Sequence, residues 1–284
     1  MTGSILSFTA MAVAGRDMLA EMNTFELMLY RSFIGFGIVC LVIQLQGLGF
    51  SQVLSHAPLL HVKRNLFHFF GQNMWFAAVT MIPLAQLVAL EMTNPIWVAV
   101  LAPFFLGEVL TRVRIIAALL GFTGILIVAQ PGLEPVNLGH AAALMAAIGF
   151  AMNTIYTKQI MQRDSVNCVL FWMTLSQGVM ALFLSLPGGI PWPATETVPS
   201  VIVVAATGLS AHFCLTSALR NAPATIVAPM EFMRLPTMAT AGFLIYGESI
   251  RVSVFVGAAL IAYGILLNVN RESRTARAAR QPKK

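Results

Sequence analysis

Residues 83–108 read PLAQLVALEMTNPIWVAVLAPFFLGE, and residues 223–248 read PATIVAPMEFMRLPTMATAGFLIYGE. Laid over one another, Pro83 answers Pro223, Glu91 answers Glu231, and Gly107-Glu108 answers Gly247-Glu248. Further along, Gly124 answers Gly264, and Ala117-Ala118-Leu119 lies opposite Gly257-Ala258-Ala259. Both copies are almost wholly apolar. A duplicated hydrophobic unit is the building plan of carriers that alternate between two openings. The pattern therefore points to moving a solute and not to transforming one.

The rest of the chain has the same character. It is 58% hydrophobic and 10% charged, with a mean hydropathy of +0.80, where a soluble domain has about a quarter of its residues charged. A spanning helix needs about 20 apolar residues. Ten such segments are predicted, at 3–20, 25–46, 65–80, 84–106, 114–130, 138–158, 166–186, 199–219, 223–246 and 252–270. The expected fold is an all-α polytopic membrane protein with ten transmembrane helices in two five-helix repeats, 1–130 and 138–270, followed by a basic tail at 271–284. The first segment has no basic leader and reads as a retained helix. Cys40, Cys168 and Cys214 fall within apolar segments and form no CxxC pair, so packing is their expected role.

Charge sets the expected orientation. With both termini in the cytoplasm, Lys63, Arg64, Arg112, Arg114, Lys158, Arg163, Arg220 and the tail cations all fall inside. Arg251 falls outside, and Arg16, Arg31 and Arg234 lie within spans. This is the positive-inside bias. The basic tail is expected at the anionic lipid surface, not on nucleic acid. Five spans per copy is an odd number, so the second copy must be inserted upside down relative to the first.

Charged groups inside the spans are the site candidates, because each costs roughly 2.5–3.5 kcal/mol at mid-membrane without a partner or a wet cavity. Arg31, Glu91, Glu231 and Arg234 stand out. Glu231 and Arg234 share a helical face at a spacing of three, as do Glu91 and Asn94. One reading places Glu91, Asn94, Glu231 and Arg234 around a central cavity, where a glutamate carries a coupling proton and Arg31 or Arg234 holds a substrate carboxylate or phosphate. The other makes them static salt bridges. Pro95, Pro229 and Pro236 are expected to kink the helices beside the acids, whereas Pro103 reads as ordinary membrane-helix proline. Trp97 and Tyr156 are candidate stacking residues, and Asn153 a neutral hydrogen-bonding one. Trp75, Phe76, Phe171, Trp172, Asn73, Gln177, His68 and His212 are weaker candidates of the same kinds. Glu108 and Glu248 pair by spacing with Arg112 and Arg251, either to fix loops or to form gates.

No histidine has metal-ligand spacing to a cysteine or carboxylate, and neither HExxH nor a serine–histidine arrangement is present. No metal, cofactor or enzymatic activity is therefore expected. The expected partners are a small-molecule substrate, the bilayer and a possible second copy of the chain, packed through the small-residue faces of segments five and ten. A channel or structural subunit is the alternative, but neither needs a second, inverted state.

The paired blocks from Pro83 to Gly124 and from Pro223 to Gly264 resemble the EamA repeats of the drug/metabolite transporter superfamily, and Arg31 resembles an arginine common in its second helix. The resemblance covers residues 3–270. It implies a secondary transporter of the bacterial inner membrane with a central cavity, whose relatives handle amino acids, vitamins such as riboflavin, S-adenosylmethionine and sugars.

Overall fold

The computed structural model describes residues 1–47, 49–107, 111–130, 137–190, 192–222, 227, 230–249 and 251–280. Glu108, Pro223 and Pro229 lie outside the described residues. The helices are α1 (Thr2–Met18), α2 (Thr24–Leu45), α3 (Pro58–Met81), α4 (Leu84–Glu91), α5 (Asn94–Leu106), α6 (Arg112–Ala129), α7 (Leu138–Ile160), α8 (Val166–Ser185), α9 (Val198–Asn221), α10 (Arg234–Tyr246) and α11 (Val252–Arg280). Local chemistry sets several ends. Asn23 caps α2 by accepting from the Phe25 and Glu26 amides, while Glu26 reaches back to the Asn23 amide at 2.9 Å. Gly107 and Gly247 end α5 and α10 at φ of 67° and 66°, a left-handed turn that glycine adopts without penalty.

No strand occurs among the described residues. Four helical stretches are long and apolar enough to cross a bilayer by themselves: Thr24–Leu45, Leu138–Ile160, Val166–Gly188 and Val198–Asn221. A fifth candidate is the bent run Leu84–Val98 and Val100–Leu106, whose parts meet at 44°. The first of these parts contains the Met92–Thr93 turn between α4 and α5, and the second contains Pro103, which cannot donate to the carbonyl four residues back. Below that standard fall α1, with Arg16 and Asp17, and α3, with Lys63, Arg64, Asn65 and two histidines.

The helices pair in a pattern that maps onto itself when the two halves are exchanged. α1 packs on α9 as α7 packs on α3, while α2 packs on α8, α4 on α10 and α6 on α11. This is a two-fold relation between repeats. Hydrogen bonds locate the helix ends. Leu84 N–H donates to Glu248 Oε2 (3.0 Å), and Asn137 Nδ2 to the Met81 carbonyl (3.3 Å), which places the ends of α3 and α10 together. Gln159 Nε2 donates to the Phe105 carbonyl (2.6 Å) and Lys158 Nζ to those of Leu219 and Ala222 (both 3.1 Å), so the ends of α5, α7 and α9 share the other face. The small faces of α6 and α11 meet within one chain, where a Cβ on Gly264 would stand 3.0 Å from the Ala117 carbonyl.

Three expectations shift. α3 starts at Pro58, earlier than the apolar run, because Arg64 is a helix residue only 1% exposed, bonded to Thr157 Oγ1 and Asn65 Oδ1. α11 continues past 270 to Arg280 through Ala, Arg and Glu, all strong helix formers. Glu248 pairs with Arg16 at 2.5 Å, a partner from α1 that sequence spacing did not offer.

On the face opposite Glu248, Asp164 ties the α2–α3 connection to the start of α8. Burial alone would raise its carboxyl. The Ser55 hydroxyl (2.6 Å), the His56 amide (2.9 Å) and the rings of His61 and His56 outweigh that and hold it at about 2, below the usual 3.8. A depressed carboxylate contributes stability that is complete above pH 3.8 and lost as pH falls toward 2. Asp164→Asn is thus expected to melt at a lower temperature than wild type at neutral pH. The gap should close as the buffer is taken below pH 3.8, and melting curves across that range check it.

Candidate functional site

Both copies of the polar segment break where their acids lie. α4 stops at Glu91, Met92 and Thr93 turn, and α5 restarts at Asn94 with Pro95 in its first turn. In the second copy a 3₁₀ turn, Glu231–Met233, runs into α10 at Arg234. Glu91 therefore closes a helix and Arg234 opens one. Each sits at the helix end whose dipole disfavours its charge, so neither is placed for its own helix's benefit. They stabilise each other instead.

Arg234 Nη2 and Glu91 Oε1 are in direct contact between the repeats, with both side chains at most 5% exposed. The second Glu91 oxygen accepts from Trp75 Nε1 at 2.8 Å. Glu231 Oε2 is 3.7 Å from Arg234 Nη1, and Glu231 Oε1 has no hydrogen-bond partner among the described residues. The guanidinium also lies over the Phe8 ring, 4.7 Å from its centre, a cation–π contact. One arginine is thereby shared between two carboxylates and an aromatic face.

These groups line a cavity between the repeats that encloses about 600 Å³ free of protein atoms, counting what opens to solvent. α1 contributes Phe8 and Met11, α3 His68, Gln72 and Trp75, α7 Phe150, Asn153 and Thr154, and α9 His212 and Leu215. His68 and His212 meet edge to face at 4.5 Å, and Phe8 packs on His212 at 5.3 Å. Gln177 Nε2 lies 2.6 Å from His68 Nδ1. An amide nitrogen only donates, so Nδ1 accepts and Nε2 carries the ring proton. His68 Nε2, His212 Nε2, Asn94 Oδ1 and Asn153 Oδ1 are buried without partners among the described residues. Unpaired buried polar atoms around an aromatic-walled space are what a hydrogen-bonding ligand requires.

The structure therefore gathers Glu91, Asn94, Asn153, Glu231 and Arg234 at one cavity. Arg31 stands one residue behind it, donating through Nη1 to Gln72 Oε1 at 2.9 Å. Trp97 is turned aside, donating to Thr93 Oγ1 at 3.2 Å, and Tyr156 packs on Phe67 and Phe105. Neither lines the cavity. Glu248 lies at the end of the α1–α4–α10 group, and Tyr246 beside it donates to Asp17 Oδ1 at 3.1 Å. Phe8, Gln72, Phe150 and Thr154 were not among the expected residues. A signal existed for some of them: His68, Gln72 and Trp75 recur at helical spacing on one face of an otherwise apolar segment.

The family model described as "EamA-like transporter family" matches this sequence twice, over residues 1–130 and 137–270. The chain belongs to that family. This EamA-like transporter is 26% identical over 274 residues to the S-adenosylmethionine uptake transporter of Rickettsia bellii, covering 95% of this chain and 92% of that one. It is 27% identical to the riboflavin transporter of Rhizobium johnstonii (82% and 77% covered) and 29% identical to that of Brucella anthropi (78% and 79%). A solved crystal structure shares its fold at a TM-score of 0.72, with 17% identity and 94% of both chains covered. The EamA-like transporter is accordingly a multi-pass membrane protein that moves small metabolites.

Proposed function

We propose that this transporter is a ten-span secondary carrier of the bacterial inner membrane, with both termini in the cytoplasm and its second repeat inverted. It moves a flat, neutral or cationic nitrogen heterocycle by alternating access. The sharing of Arg234 between Glu91 and Glu231 carries the substrate reading. That arginine has no charge to spare for a carboxylate or phosphate, and Arg31, the other candidate, is turned to Gln72 and Met28 behind the cavity wall. An anionic substrate, one of the sequence-based expectations, is therefore disfavoured.

The edge-to-face rings of Phe8, His212 and His68 suit a planar molecule. The unpaired histidine nitrogens and asparagine oxygens suit the donor and acceptor edges of a heterocycle. S-adenosylmethionine and riboflavin, which the relatives are named for, both carry such a ring system. Glu231, whose Oε1 is unpartnered, is the residue that exchanges the coupling proton. Inversion is supported by the end of α5 and the end of α10 lying on opposite faces, and it supplies two similar states opened to opposite sides.

The test uses purified protein in liposomes with labelled S-adenosylmethionine and riboflavin. Wild type is expected to catalyse counterflow of one of them and to accumulate it under an imposed proton gradient. Glu231→Gln is expected to retain counterflow and lose gradient-driven accumulation. Ohmic conductance in place of counterflow would establish a channel, and equal accumulation by Glu231→Gln would remove the proton role.

A further inference from the structure

Where the α2–α3 connection meets the turn between α7 and α8, three metal-ligating side chains converge outside the transport cavity. His61 Nε2 stands 2.8 Å from Asp164 Oδ2 and 3.9 Å from Cys168 Sγ, and all three donor atoms lie within 4.8 Å of one another. Sequence spacing does not reveal the set, because His61 is separated from Asp164 by 103 positions and from Cys168 by 107. His56 Nδ1 is 3.2 Å from the other carboxylate oxygen, Asp164 Oδ1, on a side chain 76% exposed, and stands beside this set, not within it.

The donor types select the ion. One imidazole, one thiol and one carboxylate suit a borderline divalent metal such as zinc, whereas calcium and magnesium demand oxygen. Bonds of about 2.0–2.3 Å to a tetrahedral zinc put its ligand atoms about 3.3–3.5 Å apart, between the two separations found here. Outer contacts already position the set. Ser165 Oγ caps α8 by accepting from the Cys168 amide at 3.1 Å, the Ser55 hydroxyl holds Asp164 at 2.6 Å, and the exposed His56 ring offers an entry path.

We propose that His61, Asp164 and Cys168, with water as the fourth ligand, bind a zinc-like divalent cation that fastens the start of α3 in the first repeat to the start of α8 in the second. On binding, the Cys168 thiol releases its proton to solvent, and a metal–sulfur bond replaces the weak contact between Sγ and the Val53 carbonyl (3.6 Å). The two repeats are then clipped together on this face, so the metal acts as a brake on their relative movement.

Cobalt(II) titrated into the purified full-length protein tests this directly. The expected spectrum has a near-ultraviolet thiolate-to-cobalt band and the intense visible bands of a tetrahedral site, both bleached by zinc. Replacing Cys40 and Cys214 with serine leaves Cys168 as the sole cysteine, and the spectrum is expected to persist in that variant. Adding Cys168→Ser to it should abolish the thiolate band and weaken zinc by at least about tenfold. A thiolate band absent from the protein whose sole cysteine is Cys168, or one that survives Cys168→Ser, overturns the site. This readout is independent of transport and of the substrate proposed above.

Discussion

Arg234→Ala is expected to abolish transport and to destabilise the protein by about 3–5 kcal/mol, the usual consequence of removing one partner from a buried ion pair. Arg234 is the cation in contact with both Glu91 and Glu231. Without it, two carboxylates remain at a site where, among the described residues, Glu91 keeps only the Trp75 indole. Arg234→Lys should not rescue transport, because a single ammonium cannot reproduce a planar fork that meets one carboxylate, faces a second and lies over the Phe8 ring. The double variant Glu91→Gln/Arg234→Ala separates structure from function. Removing one of the two stranded charges should restore part of the melting temperature, while counterflow stays absent. Transport recovered in that double variant would make the ion pair a structural link only.

How far such a site could be read in advance depended on how far away each partner lay. The charges themselves were conspicuous, since Glu91, Glu231 and Arg234 interrupt apolar runs and repeat between the copies. Their connections were less so. Sequence spacing paired Arg234 with Glu231 and Glu248 with Arg251, yet the closer partners are Glu91 and Arg16, from other helices. Arg64 read as a loop residue because a cation ahead of an apolar run is ordinarily solvated; in the fold it is buried, bonded to its neighbour Asn65 and to Thr157 from α7. Trp97 and Tyr156 point away from the cavity for a related reason. Where a helix is apolar all round, its periodicity does not say which face meets the site. His68 and His212 looked isolated in sequence and became a pair only when α3 and α9 were brought together.

Gly149→Ala is the substitution expected to do most damage without touching a polar group. α3 and α7 cross where Gly149 faces Gly71. A Cβ on Gly149 would stand 2.9 Å from Gly71 Cα, 3.0 Å from the Phe67 carbonyl oxygen and 3.1 Å from Gly71 N. All three are backbone atoms, so no side chain can turn aside and the helices themselves must separate. Such overpacking costs about 1–3 kcal/mol. The same displacement would also move His68, Gln72 and Trp75 relative to Phe150 and Asn153, which hold opposite sides of the cavity. Gly37→Ala is the matched control, because a Cβ there meets nothing within 4 Å and alanine is the better helix former by about 1 kcal/mol. The expected result is a lowered melting temperature and lost counterflow for Gly149→Ala beside unchanged transport for Gly37→Ala. Equal behaviour of the two variants would mean that the α3–α7 crossing tolerates separation, and the cavity would then have to be held in shape by the Glu91–Arg234 link alone.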